Sequence, residues 1–181
     1  MSRFGIALGA LLSLVAAAQD EMEDNPEFKA WSKQKPGAWV KWSAETQTGA
    51  MKLSTDLTWT LKELTDQKAV IEELTILNVG EEHRQHTGSR TVASKIKKGT
   101  TSDGATIEVL KEGDEKITLK GRELTCHWVE MKLTGRQGGT MKVWKTDEIV
   151  GGAAKIVIKH DEAAKMTLTM TVVDWKAGGQ P

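Results

Sequence analysis

The chain has no tyrosine and a single cysteine among its 181 residues, and only two phenylalanines. Each shortage closes off a class of explanation. One thiol, Cys126, cannot build an internal disulfide framework, so the fold must stand on packing. A buried, inert thiol on a strand is its expected state. Lys plus Arg and Asp plus Glu number 25 each, which leaves no cationic excess for nucleic acid or an anionic membrane surface. Beyond the first residues no apolar run approaches the roughly 20 residues of a membrane-spanning helix, so no transmembrane anchor is expected. The lack of tyrosine and the uneven strand lengths also argue against a transmembrane barrel with aromatic girdles.

Catalytic signatures are missing too. There is no G-x-S-x-G elbow, no S-x-x-K set and no H-E-x-x-H helix. The glycine pairs Gly138-Gly139, Gly151-Gly152 and Gly178-Gly179 suit tight turns better than a phosphate-cradling loop. Cys126 and His127 are neighbours, and neighbours on a strand point to opposite faces, so they make no nucleophile–base pair there. The expectation is a protein that is not an enzyme and carries no cofactor.

What is present begins with "MSRFGIALGALLSLVAAAQDEMEDNP". Arg3 gives a positive start, Phe4 to Val15 is apolar, and Ala16, Ala17 and Ala18 offer small side chains before the chain turns acidic. This three-part pattern predicts a secretory signal peptide over 1–18, cut after Ala18, and hence an exported protein of the periplasm or the extracellular space. Residues 19–24 read as an acidic, solvated segment. The remainder suits one domain over 25–176, with a loose tail at 177–181.

"EDNPEFKAWSKQKPG" predicts a helix over 25–35. Asn25 can cap it, Pro26 suits its first turn, and Pro36 and Gly37 stop it. Phe28 and Trp31 are three apart and share a face that must dock. After Gly37 the period changes to two. In "KLSTDLTWTLKEL", Leu53, Thr55, Leu57, Trp59 and Leu61 fall on one side and polar residues on the other. "KAVIEELTILNV", "RELTCHWVEMKL", "TMKVWKT", "AAKIVIKH" and "AKMTLTMTVVDWK" read as further strands. "GEEHRQHTGSR" reads as a polar loop, "TVASKIKK" and "ATIEVLKE" as weaker strands around the turn "GTTSDG", and "EKITLKG" as the lead into "RELTCHWVEMKL". About nine or ten strands joined by short turns predict a mainly β fold, a curved antiparallel sheet forming an open half-barrel or a sandwich.

The unusual feature is seven tryptophans. Core packing is their ordinary role. The functional reading is a concave sheet lined by Trp, Leu and Met that holds an apolar guest or a sugar. Leu57, Trp59 and Leu61 would line it, with Phe28 and Trp31 on the helix that closes one side. A second reading is a structural or interaction domain with a filled core, its partner another envelope protein. A third is a metal-dependent hydrolase. His83 and His86, with Glu81 and Glu82 beside them, are its only candidate ligands, and two close histidines fall short of a zinc site.

"KPGAWVKW", "TLKELTDQKAVIEE" and the late "CHWVEMK…MKVWKTDEIVGGAAKI" resemble a group of uncharacterised secreted proteins of planctomycete-type bacteria. That group has a proline before the paired glycines where this chain has "IVGG". The resemblance covers most of the chain past the leader and implies a secreted β-rich fold with no assigned activity. By architecture alone, a helix followed by a curved antiparallel sheet is similar to the lipoprotein-carrier half-barrels (LolA/LolB-like) of the bacterial periplasm, an analogy of fold that assigns no functional residue.

Overall fold

The structure is a computed structural model that describes residues 21–79, 82–100, 106–134, 138–160 and 166–178. The expected leader 1–18 and positions 179–181 of the expected tail lie outside the described residues.

The elements follow in chain order as β1 (Met22–Asp24), α1 (Pro26–Trp31), β2 (Trp39–Thr48), β3 (Met51–Leu64), β4 (Lys68–Val79) and β5 (Glu82–Ala93). Then come β6 (Lys95–Lys97), β7 (Thr106–Leu119), β8 (Arg122–Thr134), β9 (Gly139–Lys145), β10 (Ala153–His160) and β11 (Met166–Lys176). The architecture is mainly β. Nine strands form one antiparallel sheet in the order β5-β4-β3-β2-β11-β10-β9-β8-β7, and β1 pairs with β6 apart from it. The sheet does not close into a barrel, because its edges, β5 and β7, do not pair with each other.

Four details differ from the sequence expectation. The helix ends at Trp31 rather than at 35. Asn25 caps its start as expected, its side-chain oxygen accepting from the N–H groups of Glu27 at 3.0 Å and Phe28 at 3.4 Å. Its last turn closes when the Ser32 N–H donates to the Phe28 carbonyl at 2.7 Å. Pro36 then disfavours helical backbone at Lys35.

The acidic segment is no loose tail at its end. Met22–Asp24 pairs with Lys95–Lys97, and Asp24–Lys95 (2.5 Å) and Glu21–Lys98 (3.0 Å) ion pairs flank the ladder.

The expected loop at "GEEHRQHTGSR" is most of β5, which runs in register with β4 from Lys68–Ala93 to Val79–Glu82. An edge strand with water on its side tolerates polar residues at most positions, so composition hides it.

The weak strand "ATIEVLKE" and the following "EKITLKG" are one strand, β7, with a register shift between Val109 and Lys111. Gly113, inside this strand, lies opposite Trp128, and a Cβ there would sit 3.0 Å from Trp128 Cζ2. The glycine makes room for an indole rather than a turn.

The helix docks on the loop between β9 and β10. A Cβ on Gly152 (φ +76°) would meet Ala30 Cβ at 2.7 Å, so only glycine allows this approach. Asn25 fixes the other end, its amide donating to the Ala93 carbonyl at 2.8 Å.

Candidate functional site

Residues directly opposite one another in antiparallel strands present their side chains to the same face. Register therefore assembles the face that no single strand shows. Leu61 lies opposite Ile71, and Ile71 opposite Arg90. Arg90 pairs at 2.5 Å with Glu27 of α1, so this is the face the helix sits on. On the same face Trp59 lies opposite Val40, and Leu57 opposite Trp42. Trp42 in turn lies opposite Val172, and Ala44 opposite Met170.

The face continues across the other half of the sheet. Met170 lies opposite Ile156, Ile156 opposite Val143, and Val143 opposite Val129. From Ala44 to Val129 this apolar row spans four strand spacings, about 19 Å. A parallel row runs Leu168, Ile158, Met141, Met131 and Val109.

Burial along this face is graded. At the helix end Val40, Trp42, Leu61, Ile71 and Val92 are 0–1% exposed. Leu57, Leu53, Leu77 and Leu168, further along, are half-buried. At the rims Met51 is 73% exposed and Val109 is 57% exposed. A helix of 6 residues is about 9 Å long, whereas the 14 residues of β3 extend over about 45 Å. The helix can cover only one end of the strands.

The five residues singled out by sequence fall into two groups. Trp31 and Leu61 are fully buried and form the floor. Phe28, Leu57 and Trp59 are half-buried around them. Trp59 stacks on Trp42 with centroids 5.3 Å apart and planes tilted by 52°. Arg90 roofs the Trp59 ring at 4.9 Å while bonding Glu73 at 2.5 Å. The row from Met170 to Val129 was not singled out; its alternation is visible, but the register that lines it up is not.

The opposite face is mostly polar, with Lys41, Ser43, Glu45, Asp56 and Thr58 among its residues. Its aromatic pair is not an open platform for sugar. Lys142 lies 3.8 Å from the Trp128 ring centroid and 4.6 Å from that of Trp144, capping both. Trp144 Nε1 donates to Glu115 at 2.9 Å.

His83 and His86 stand on β5 rather than in a loop, three positions apart, and so point to opposite faces. The His83 ring is 2.7 Å from the Asn78 side-chain oxygen. Among the described residues no group of three or more His, Cys, Asp or Glu side chains is placed to hold a metal, and Glu81 lies outside them. Cys126 is fully buried, and burial first, then the nearby Glu148 and Glu115 carboxylates, pushes its thiol pKa up. His127, on the other side of the strand, is exposed and 3.0 Å from Asp114. No helix among the described residues is long and apolar enough to cross a membrane.

No family model matches this chain, and no curated protein does. Solved structures do. A protein with a YmcC-like fold from Bacteroides fragilis is 8% identical, with a TM-score of 0.44 over 79% of this chain and 97% of that one. A LolA superfamily protein from Nitrosomonas europaea is 7% identical, with a TM-score of 0.32 over 86% and 93%. An outer membrane lipoprotein-sorting protein domain from Vibrio parahaemolyticus is 10% identical, with a TM-score of 0.33 over 83% and 89%.

Proposed function

We propose that this chain is an exported, non-catalytic carrier that holds an apolar, lipid-like molecule on the helix-bearing face of its sheet. One observation carries the reading: apolar side chains continue along that face well past the end of the helix that covers them. An apolar row that is half-buried in the free protein is the surface a hydrocarbon chain would dry, at about 25 cal/mol for each Å² removed from water. Leu53, Leu57, Leu77 and Leu168 supply the contact, beside Trp59 beneath Arg90 and above the buried floor of Trp31, Trp42 and Leu61. The polar opposite face suits a protein that carries its guest through water. The leader-like first 18 residues support export. The buried Cys126, held as a neutral thiol, supports a binding rather than a reacting role.

The test is native mass spectrometry of the protein taken from its own cell envelope. A co-purifying molecule with a hydrocarbon chain is the expected result, and Leu57→Asp with Leu168→Asp should strip it. A bare chain, with no uptake of an added apolar fluorophore, would overturn the reading. Fractionation tests export separately, since uncleaved protein confined to the cytoplasm contradicts it.

A further inference from the structure

A second feature of the helix-bearing face is polar. Between α1 and the strands β7 to β9 opens a cleft of about 540 Å³. Lys29 and Lys33 line its helix side, and His127, Lys145 and Asp114 line its sheet side, with Asp147 at its rim. His127 lies directly opposite Lys145. The next pair on the same face is Val129 opposite Val143, and the one after is Met131 opposite Met141. The floor that carries Lys145, His127 and Asp114 therefore runs into the apolar rows within two residues, about 7 Å, with Glu112 opposite Val129 where the two meet.

The carboxylates in the cleft already have partners. Asp147 is paired with Lys33 at 2.6 Å. Asp114 is 3.0 Å from His127 Nδ1, and Glu112 is 3.7 Å from its Nε2. Among the described residues, neither Lys29 nor Lys145 makes a salt bridge within 4 Å, although the Lys29 charge helps to lower the pKa of Asp24 and Asp147. Lys145 is exposed at the cleft, and the protein packed around its base pushes its pKa below the ordinary lysine range. An anion placed beside it would favour its charged form.

We propose that the ligand is an anionic amphiphile: its carboxylate or phosphate head sits in this cleft between Lys29 and Lys145, and its tail lies along the Val129–Val143 row. This rests on the carrier reading above and names its ligand class. The head chemistry is shared by free phosphate and by lipid heads, so the experiment must separate them.

The delipidated full chain is loaded with an apolar fluorophore, which is then displaced by dodecyl phosphate, dodecanoate, dodecanol or inorganic phosphate, each below its micelle concentration. The two anionic amphiphiles should displace it at about tenfold lower concentration than dodecanol, the worth of one partly desolvated charge contact. Inorganic phosphate should not displace it. The double variant Lys29→Ala, Lys145→Ala should bring the anionic probes to the potency of dodecanol and leave dodecanol unchanged. Lys159→Ala, on the opposite face, should keep the tenfold gap, and circular dichroism checks that each variant is folded.

Equal potency of dodecanol and dodecyl phosphate in the wild type overturns the headgroup site but leaves the carrier reading standing. A gap that survives the double variant also overturns it, since the head then binds elsewhere. Calorimetric binding of inorganic phosphate as tight as that of dodecyl phosphate makes the cleft a free-anion site and overturns the amphiphile. Failure of the fluorophore to bind at all overturns the carrier reading and this inference with it.

Discussion

The two ends of the central strands follow one rule of sequence and meet different fates. At one end Val40, Trp42 and Leu61 alternate with polar residues and are buried, with Ile71, at the end that α1 covers. At the other, Leu53 and Leu57 alternate in the same way and, with Leu77, stay half-buried. Alternation chooses the face; cover decides how dry that face becomes. The covered end should therefore carry stability and the open end should carry binding. Trp31→Ala removes the largest buried side chain the helix offers and should cost about 3–5 kcal/mol. Leu57→Ala, at the open end, should cost about 1 kcal/mol. Urea unfolding followed by tryptophan fluorescence measures both, with an unchanged slope as the control. Equal losses would erase the distinction.

The cover itself depends on one cap. Asn25 is 2% exposed and serves both the helix N–H groups and the Ala93 carbonyl. Asn25→Ala should cost about 1–2 kcal/mol, and Asn25→Asp less, because the carboxylate still accepts at the cap while losing the donor to Ala93. Thermal midpoints of the two variants give the order, and a reversed order would move the main contribution from the cap to the bond with Ala93. Next in size, Met51→Asp at the open rim should change stability by less than about 0.5 kcal/mol while weakening uptake of an apolar fluorophore. A large stability loss with unchanged uptake would contradict the division of labour.

How far the sequence reveals this arrangement depends on where the signal lies. The open antiparallel sheet and the helix cap are legible, because period two and the Asn25-Pro26 start are local patterns. Trp39 and Trp42, three apart, do face opposite ways, Trp42 buried at 1% and Trp39 half-buried. β5 is hidden because an edge strand borrows its ladder from β4 and needs few apolar residues. β7 is hidden because Gly113 interrupts its pattern until Trp128 is placed over it. The wall from Met170 to Val129 is hidden for a different reason: it is a row across four strands, and its members are separated by whole hairpins in sequence. β8 adds a further concealment. Its buried side switches from Leu124 and Cys126 to Val129 and Met131, so simple alternation assigns it one face when it uses both.

The smallest effect expected comes from acid. Three exposed carboxylates are held below the ordinary aspartate range: Asp24 by Lys95, Asp147 by Lys33 and Asp174 by Lys120, each chiefly through a side-chain hydrogen bond. A carboxyl whose folded pKa is depressed binds a proton more readily when unfolded. Its contribution to stability is present above the unfolded value, near 3.8, and is lost as pH falls through the lower folded value. Two of the three pairs flank the helix, Asp24 just before its cap and Lys33–Asp147 just after its last turn. The covered end should thus loosen before the open end does. A thermal midpoint followed from pH 7 to pH 2 should fall slightly below about pH 4, and the fall should shrink in 1 M salt, where exposed pairs are screened. Asp24→Asn with Asp147→Asn should flatten it further, while Asp174→Asn, away from the helix, should matter less to the fluorescence of Trp31 and Trp42. A midpoint that rises as pH falls through this window would mean that these contacts do not favour the folded state, and the helix would then be held by its apolar face, Asn25 and the Glu27–Arg90 pair.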